Sequence, residues 1–261
     1  MPGSPRKIAV LHAKALGDLI VIFPALGAIK ETYPDAELIL LASPRVKEFL
    51  STRPSAVDRV IEVPVFPGVN DDDAVATKGR VGVVGAVDDS PEIQQFYKAM
   101  RAEKFAAVIH LQGDGKAANP FINKFGAGLT VGLRNETAEP IDRFIPYVRY
   151  QSEILRNLEV VALVGACTKW LQPHVEVTEI DEQETASLRE SIKGKPYVIV
   201  HAGADDVRRV WPTAKFAKVA DGLVDKGYQV VLTGTPKEQE ILTSVMPVSY
   251  THLTLPTILR V

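Results

Sequence analysis

The amino-acid sequence predicts an α/β protein built from two Rossmann-like units with parallel sheets. The first observation is an alternation of short apolar runs with longer segments whose apolar residues recur at helical spacing, a pattern typical of strands joined by helical crossovers. The second is that this alternation restarts after the weakly patterned stretch Gly165–Pro173. The third is that two apolar runs lead through a glycine-bearing turn into a helix, an arrangement that forms ligand sites at the carboxyl ends of parallel strands.

The first predicted unit begins with a short apolar strand and continues as alternating strands and helices. Its predicted strands are Ile8–Leu11, Glu37–Ala42, Arg59–Val63, Ala106–Leu111 and Leu129–Leu133. After the first strand, helical spacing is kept by Leu19, Ile22, Phe23, Leu26 and Ile29. The other predicted helices are Pro44–Leu50, Glu92–Lys104, Ala117–Phe125 and Ser152–Leu163. Glu139–Pro146 is predicted to be irregular.

The stretch Pro64–Pro91 interrupts this alternation, because it is rich in glycine, proline and clustered acids and lacks helical periodicity. A loop of this length is usually functional or disordered. Its three consecutive acids, Asp71, Asp72 and Asp73, are compatible with a metal site. An adjacent run of acids is more often a solvated face, and that is the interpretation we favour.

The second predicted unit repeats the pattern over a shorter length. Its predicted elements are a helix over Asp181–Ile192, a strand over Tyr197–His201, a helix from Trp211 to Lys226, a strand over Gln229–Thr233 and a helix over Pro236–Val245. Pro212 suits the first helical position, where no N–H group is needed. The unit is too small for a separate doubly wound domain, which needs about 100 residues.

The last residues, SYTHLTLPTILRV, have neither helical nor clear strand organisation and are similar to translated vector or sequencing-adapter sequence. We therefore expect the natural protein to continue past about Met246. The predicted domains are an N-terminal Rossmann-like domain over residues 1–170, a partial C-terminal one over 171–246 and a non-native tail over 247–261.

The composition is that of an ordinary soluble protein and excludes several classes of function. The chain has 261 residues, of which 46% are hydrophobic, and its net charge of −2 provides no global basic field for nucleic acid. The single cysteine, Cys167, excludes an intrachain disulfide, and its apolar neighbours Val160–Ala166 favour a core position. The N-terminus is too polar for a signal peptide and no apolar run reaches about 18 residues, so a cytoplasmic protein is expected.

Asp18 is the first candidate for chemistry, because it follows Gly17 at the start of the helix after the first strand. A carboxylate at a helix start stays ionised, since the dipole and the free N–H groups favour its charge. It could therefore take a proton from an acceptor hydroxyl as a general base. The alternative is a purely structural aspartate at a helix start, which is very common and which the local sequence alone favours.

The second candidate is the stretch His201–Pro212, HAGADDVRRVWP, which follows a predicted strand. Its backbone can approach a phosphate closely at Gly203, and Arg208 and Arg209 can donate bidentate hydrogen bonds. Asp205 and Asp206 can instead pair with those arginines, so an internally salt-bridged loop is an equal alternative.

The third candidate is the stretch His110–Lys116, HLQGDGK, after the fourth predicted strand. Gly113 and Gly115 allow either a close ligand approach or a tight turn. The stretch lacks the GKS or GKT of a Walker loop, and no GxGxxG fingerprint follows the first strand. There is no HExxH motif and no nucleophile elbow, so zinc-protease and serine-hydrolase functions are disfavoured.

These stretches, taken together, resemble the ADP-heptose:lipopolysaccharide heptosyltransferases of glycosyltransferase family 9. The resemblance is carried in order by ALGDLIVIFPALGAIKETYPDAEL, HLQGDGKAANPF, SEILRNLEVVALVG and HAGADDVRRVWPTAKFAKVADGLVDKGYQVVLTG, over about residues 7–240. It implies a GT-B fold, with two Rossmann-like domains facing across a cleft. It also implies an inverting, metal-independent glycosyl transfer with no cofactor, from a nucleotide sugar such as ADP-heptose.

The resemblance also implies roles for the candidate residues. The catalytic aspartate of the family's GD motif falls on Asp18, and this reverses the local preference for a structural aspartate. Gly17, Gln112 and Gly113 are expected on the acceptor side of the cleft. The basic residue two positions before the family's Trp-Pro pair, which contacts the donor phosphates, falls on Arg209.

The donor side implied by the resemblance is less complete. His201, Gly203 and Ala204 match the turn that approaches the diphosphate, with Arg208 beside it, although several members carry hydroxyl residues at the last two positions of that turn. The family's later DTG…H segment has no counterpart, so we expect an incomplete donor site and little or no activity from this chain.

The partners expected from the resemblance are a nucleotide sugar and a lipid-linked or lipopolysaccharide-core glycan, with peripheral contact to the cytoplasmic membrane face and no nucleic acid. Two other classes stay open: a non-catalytic nucleotide-sugar-binding protein or inactive fragment, and a dinucleotide-dependent oxidoreductase. The missing GxGxxG motif disfavours the oxidoreductase.

Overall fold

A six-stranded parallel sheet forms the centre of the first of two units in the computed structural model. The model describes residues 6–70, 90–192, 194–204, 207–245 and 253–254. By its internal contacts the chain divides into Met1–Glu176 and Val177–Val261. Part of the predicted loop, including Asp71–Asp73, lies outside the described residues, as do Asp205 and Asp206.

The sheet of the first unit confirms the predicted α/β class. Its strands are β1 Lys7–Leu11, β2 Glu37–Ala42, β3 Arg59–Glu62, β4 Ala107–His110, β5 Thr130–Arg134 and β6 Arg143–Pro146. They are ordered β3-β2-β1-β4-β5-β6 and all pair in parallel. Ala9 of β1 lies opposite Ile39 on one side and Val108 on the other. The direction of winding therefore reverses between β1 and β4, where open α/β sheets form their ligand crevice.

Helices cover both faces of this sheet. They are α1 Leu16–Thr32, α2 Pro44–Ser51, α3 Pro91–Glu103, α4 Ala118–Asn123 and α5 Glu153–Ala162. Along β1, Ile8 and Val10 belong to the hydrophobic cluster under α1, α2 and α5, while Ala9 and Leu11 belong to the cluster under α3 and α4. Because both faces are covered, the strands are continuous apolar runs and not alternating ones.

Three predictions from the sequence are wrong, two of them in this unit and one in the second. The stretch predicted to be irregular contains β6, whose side chains are mostly exposed because it is an edge strand and needs no apolar run. The lone Cys167 is exposed and not in the core, since the buried positions end at Ala166. In the second unit Pro212 occupies the N-cap position and not the first helical one, with an extended ψ of 128°.

An ion-pair network joins the amino-terminal ends of the strands in the first unit. Glu103 at the end of α3 accepts hydrogen bonds from Lys7 (2.6 Å) and Arg59 (2.9 Å), while Arg59 also donates to Glu37 (2.7 Å). The hydrogen bonds from Arg59, and then those from Lys7, lower the pKa of Glu103 to about 2. The network ties β1, β2 and β3 to α3 at the edge of the sheet opposite the strand carboxyl ends.

The second unit is a small parallel sheet with helices on its core face. Its elements are α6 Glu179–Ile192, β7 Tyr197–His201, α7 Thr213–Asp225, β8 Gln229–Thr233, α8 Gln239–Val245 and β9 Leu253–Thr254, ordered β7-β8-β9 in the sheet. The short β9 falls in the tail that was predicted to lack clear strand organisation, and it pairs with β8 in parallel. Among the described residues, no helix is both long and apolar enough to cross a bilayer.

Candidate functional site

The carboxyl ends of β1 and β4 bring two of the predicted site stretches together. Leu11 and His110 are register partners, so the residues that follow them leave the sheet side by side. The turn from His12 to Ala15 then leads into α1, and Leu111–Gly113 forms the turn after β4. The structure therefore places Asp18 and Gln112 on neighbouring segments, at the point where the direction of winding reverses.

Asp18 lies in the first turn of α1 and is exposed. The N-cap residue, Ala15, has no side-chain hydrogen bond to the helix, so the carboxylate of Asp18 is the acidic group at this helix start. Gly17 precedes it, exposed, with open space where a Cβ would lie. An exposed carboxylate on a helix N-terminus with a small neighbour is accessible to a hydroxyl-bearing ligand.

Gln112 is buried, and its side chain joins two other segments of the chain. Its Oε1 accepts a hydrogen bond from the backbone N–H of Ala13 (2.6 Å), and its Nε2 donates to the carbonyl of Val69 (3.0 Å). Gly113 follows it, exposed, with a φ of +62° that favours glycine. Gln112 and Gly113 thus lie beside the turn that leads to Asp18.

Two buried histidines stand at these strand ends, a feature that the sequence analysis missed. Burial lowers the pKa of both His12 and His110 to about 4, so both imidazoles are neutral near pH 7. The Nδ1 atom of His12 has no hydrogen-bond partner among the described residues. The sequence contained one indication that these histidines are buried, because His12 directly follows an apolar strand and His110 ends one.

His110 is held by backbone groups on both sides of its ring. Its Nδ1 lies 3.0 Å from the carbonyl of Gln112, and its Nε2 lies 3.0 Å from the N–H of Leu133. Nε2 also lies 3.0 Å from the carbonyl oxygen of Leu133. The neutral tautomer with hydrogen on Nδ1 satisfies the contacts with the Gln112 carbonyl and the Leu133 N–H, two of the three, and we assign it on that ground. Gly132 makes room for the ring, because a Cβ there would lie 2.8 Å from Cγ of His110 and closer still to Cδ2 and Nε2.

The segment after β3 closes the same edge of the sheet. The side chain of Asn70 accepts from the N–H of Phe66 (2.7 Å) and donates to the carbonyls of Val63 and Pro64 (both 3.1 Å). Val69 and Phe66 are fully buried. This fixed segment presents the Val69 carbonyl to Gln112, so three strand-end segments meet at that one side chain.

In the second unit, the predicted phosphate turn follows β7 and ends at a 3₁₀ turn. His201 and the two arginines, Arg208 and Arg209, are exposed, while Gly203 and Ala204 are half-buried. Trp211 packs edge-on against Phe216 with ring centroids 5.3 Å apart, next to the start of α7. The exposed cations and the small residues of the turn are both present, as a phosphate site needs.

Glu238, in the short 3₁₀ segment after β8, packs against this turn and was missed by the sequence analysis. Its Oε2 accepts hydrogen bonds from the N–H (2.6 Å) and the hydroxyl (2.9 Å) of Thr235. The bond from the N–H is one half of a capping box, and the other half runs from the N–H of Glu238 to the side chain of Thr235. A Cβ on Gly203 would lie 2.7 Å from Cγ of Glu238 and closer still to its carboxylate, so any larger residue there would require the Glu238 side chain to move. The pattern T-P-x-E at a helix start was the available signal.

Two further features bear on what the described residues can bind. They contain no group of three or more His, Cys, Asp or Glu side chains placed to hold a metal ion. A cavity of about 200 Å³ lies in the first unit away from the strand ends. It is lined by α1, the segment after α2 and residues near Trp170, and none of the predicted site residues lines it.

The chain is similar to known proteins over most of its length. The model of glycosyltransferase family 9 (heptosyltransferase) matches residues 93–255. Lipopolysaccharide heptosyltransferase 3 of Escherichia coli is 23% identical over 234 residues, which are 86% of this chain and 63% of that protein. Lipopolysaccharide heptosyltransferase 2 of Escherichia coli K12 is 24% identical over 90% of this chain and 65% of its own length. The chain thus spans slightly less than two thirds of these curated relatives.

Solved structures share the fold at lower identity. A glycosyl transferase family 9 protein of Veillonella parvula has a TM-score of 0.70 at 20% identity and covers 95% of this chain and 68% of its own. The Escherichia coli heptosyltransferase WaaC, solved with ADP-2-deoxy-2-fluoro heptose, has a TM-score of 0.62 at 20% identity and covers 96% of this chain and 76% of its own. These likenesses confirm the predicted GT-B class.

Proposed function

Because the chain belongs to glycosyltransferase family 9, we propose that its protein is an inverting glycosyltransferase that moves a heptose, or a related sugar, from a nucleotide-diphosphate sugar to a lipopolysaccharide core or similar glycan. The observation that carries the proposal is the family match over residues 93–255, which includes parts of both units. The exposed carboxylate of Asp18 at a helix start supports it, since a transferase of this kind needs a base open to an acceptor.

The proposed reaction is a single displacement at the anomeric carbon. An acceptor hydroxyl near Asp18 gives its proton to the carboxylate while its oxygen bonds to that carbon. The bond from the carbon to the nucleoside diphosphate breaks at the same time, and the leaving group takes the electron pair. Gly17 and Gly113, both exposed and without side chains, leave room for the acceptor beside the base.

The departing diphosphate needs positive charge, because negative charge develops on it as the bond breaks. We assign this role to Arg209, with Arg208 beside it, at the turn that includes His201, Gly203 and Ala204. The carboxylate of Glu238 lies against Gly203, so the two arginines must also offset its repulsion of phosphate oxygens. In this proposal cationic side chains and the start of α7 supply the stabilisation.

The acceptor and the place of action follow from the same proposal. The curated relatives are named for heptosyl transfer to lipopolysaccharide, and a lipid-linked acceptor of that kind lies at a membrane surface. We therefore place the protein in the cytoplasm with peripheral visits to the inner face of the membrane. A nucleotide sugar such as ADP-heptose is the proposed donor.

The decisive experiment replaces Asp18 in the full-length gene product, since the chain spans only part of its relatives. Asp18→Asn keeps the shape of the side chain and removes the base, so kcat should fall by about 10²–10⁴-fold while the Kd for ADP stays unchanged. Asp35→Asn, an exposed acid just after α1, is the matched control and should keep full turnover. Near-normal transfer by Asp18→Asn would refute the base assignment, and donor binding without transfer by the unmodified protein would favour a binding protein instead.

A further inference from the structure

We propose that Gln112 is a positioning residue that holds the turn between β1 and α1, and through this turn Asp18, in the place that sugar transfer requires. The inference rests on the proposed function for its catalytic part. Its structural part, that one buried amide clamps the turn, stands on the hydrogen bonds alone.

The clamp is a pair of hydrogen bonds from one side chain to two distant backbone segments. Oε1 of Gln112 accepts from the N–H of Ala13 at 2.6 Å, and Nε2 donates to the carbonyl of Val69 at 3.0 Å. A backbone N–H must face the amide oxygen and a carbonyl must face the amide nitrogen, so the orientation of the amide is settled by its partners. Gln112 is only 5% exposed, which keeps water from competing for these bonds.

The turn that Gln112 holds leads directly into the helix start that carries Asp18. The N–H of His12 bonds to the carbonyl of Leu41 on the β2 side (3.0 Å), and the first bond of α1 runs from Leu19 to Ala15 (3.1 Å). Between these two anchors, the bond from Ala13 to Gln112 fixes the turn on the β4 side. A reacting group that is misplaced by about 1 Å can cost about 10²-fold in rate, so a clamp at this point affects catalysis without touching substrate.

The backbone of Gln112 is in turn held in place by a hydrogen bond with His110. The backbone carbonyl of Gln112 accepts from Nδ1 of His110, whose Nε2 accepts in turn from the N–H of Leu133 on β5. The ring has no freedom to move away, because it is fully buried against Gly132. A chain of hydrogen bonds therefore crosses the strand ends from β5 through β4 to the turn after β1.

This arrangement makes the role of Gln112 chemically testable, because the clamp needs one acceptor and one donor. Gln112→Met keeps the length and the burial and removes both functions. Gln112→Glu removes the donor when the new carboxyl is ionised, but its protonated form again has a carbonyl oxygen for Ala13 and an O–H for Val69. Burial raises the pKa of a carboxyl at this position, so the clamp should return as the pH falls toward 5.

The first arm of the test measures hydrogen exchange in the 261-residue chain, which requires no activity. In Gln112→Met, the protection factors of peptides covering residues 12–19 should fall about tenfold, as expected for the loss of a buried hydrogen bond. In Gln112→Glu they should fall at pH 8 and recover at pH 5. Gln95→Glu, the same substitution at an exposed position of α3, is the matched control and should change nothing at either pH.

Two results in this arm would overturn the clamp. One is unchanged protection of residues 12–19 in Gln112→Met. The other is an equal loss of protection at pH 8 and pH 5 in Gln112→Glu, since a packing defect does not depend on protonation. Peptides from α3 and α5, which belong to the same unit as Gln112, report whether the variants remain folded, and in either variant they should match the unmodified chain.

The second arm measures transfer by the full-length protein. Gln112→Met should lower kcat by about tenfold or more and leave the Kd for ADP unchanged, because the donor residues belong to the second unit. In Gln112→Glu the ratio of its kcat to that of the unmodified protein should rise as the pH falls from 8 to 5. Loss of protection without any change in kcat would refute the positioning of Asp18. If the unmodified protein transfers no sugar, the proposed function fails, and the exchange arm still decides the clamp.

Discussion

Gly132→Ala should destabilise the first unit strongly, although alanine is normally the better residue in a strand. The added methyl group would lie 2.8 Å from Cγ of His110 and closer to two other ring atoms. Carbon atoms in proteins pack at about 3.5–4.0 Å, so the nearest ring atom must retreat by about 1.5–2 Å. It is fully buried, and both of its hydrogen bonds, to Gln112 and Leu133, are already 3.0 Å long.

The expected cost follows from these contacts. Overpacking costs about 1–3 kcal/mol, and each of the two hydrogen bonds is worth about 1 kcal/mol. The intrinsic gain from replacing glycine in a strand offsets about 0.5–1 kcal/mol of this. The free energy of unfolding should therefore fall by about 2–4 kcal/mol. Gly27→Ala in α1 is the control, because a Cβ there meets nothing within 4 Å, and it should be neutral or stabilising.

The measurement is native-state hydrogen exchange of peptides from β4 and β5, which reports on the first unit without assuming that both units unfold together. A double-mutant cycle with His110→Ala identifies the cause. If the ring is the obstacle, Gly132→Ala should cost less than about 1 kcal/mol in the His110→Ala background. An equal cost in both backgrounds, or a cost below about 0.5 kcal/mol in the unmodified one, would refute this account of the packing.

Two further predictions follow from charge. The folded first unit keeps His12 and His110 neutral to about pH 4, so its unfolded state binds more protons, and its stability should fall as the pH drops from about 6.5 to 4. The loss should continue below pH 4.5, as Glu103 is protonated and leaves its ion pairs. The measurement is the urea midpoint as a function of pH, and His174→Gln, which removes an exposed histidine, is the control that should follow the same curve. A flat curve from pH 7 to 5 would contradict the burial of His12 and His110. Arg209→Ala in the full-length protein should weaken ADP binding by at least about tenfold, since a charge-assisted hydrogen bond is worth about 1.5–3 kcal/mol. Lys218→Ala, an exposed cation on α7, is the calorimetric control, and an equal Kd in both variants would remove Arg209 from the proposed donor site.

The class of fold and most of the helices and strands could be predicted from the amino-acid sequence. β2, β7 and β8 begin and end where the apolar runs predict. For β2 the reason is that a strand of a covered parallel sheet is buried on both faces and leaves a continuous apolar signal. The helix that carries Asp18 was predictable from helical spacing. The ordered motifs also identified the family, which the family model confirms. The roles of Asp18, Arg209 and the other site residues stay predictions.

The contacts that hold the strand ends together became visible only in the folded structure. β6 pairs along one edge and Cys167 is exposed, so neither position follows from the apolar content of its neighbourhood. The contacts of Gln112 with Ala13 and Val69, of His110 with Gly132, and of Glu238 with Gly203 join segments far apart in the chain. The spacing of apolar residues along the chain indicates which positions are buried. A hydrogen bond between distant segments leaves no such pattern in the local sequence. The sequence therefore predicted an aspartate at a helix start, and the structure showed which amide holds the turn before it.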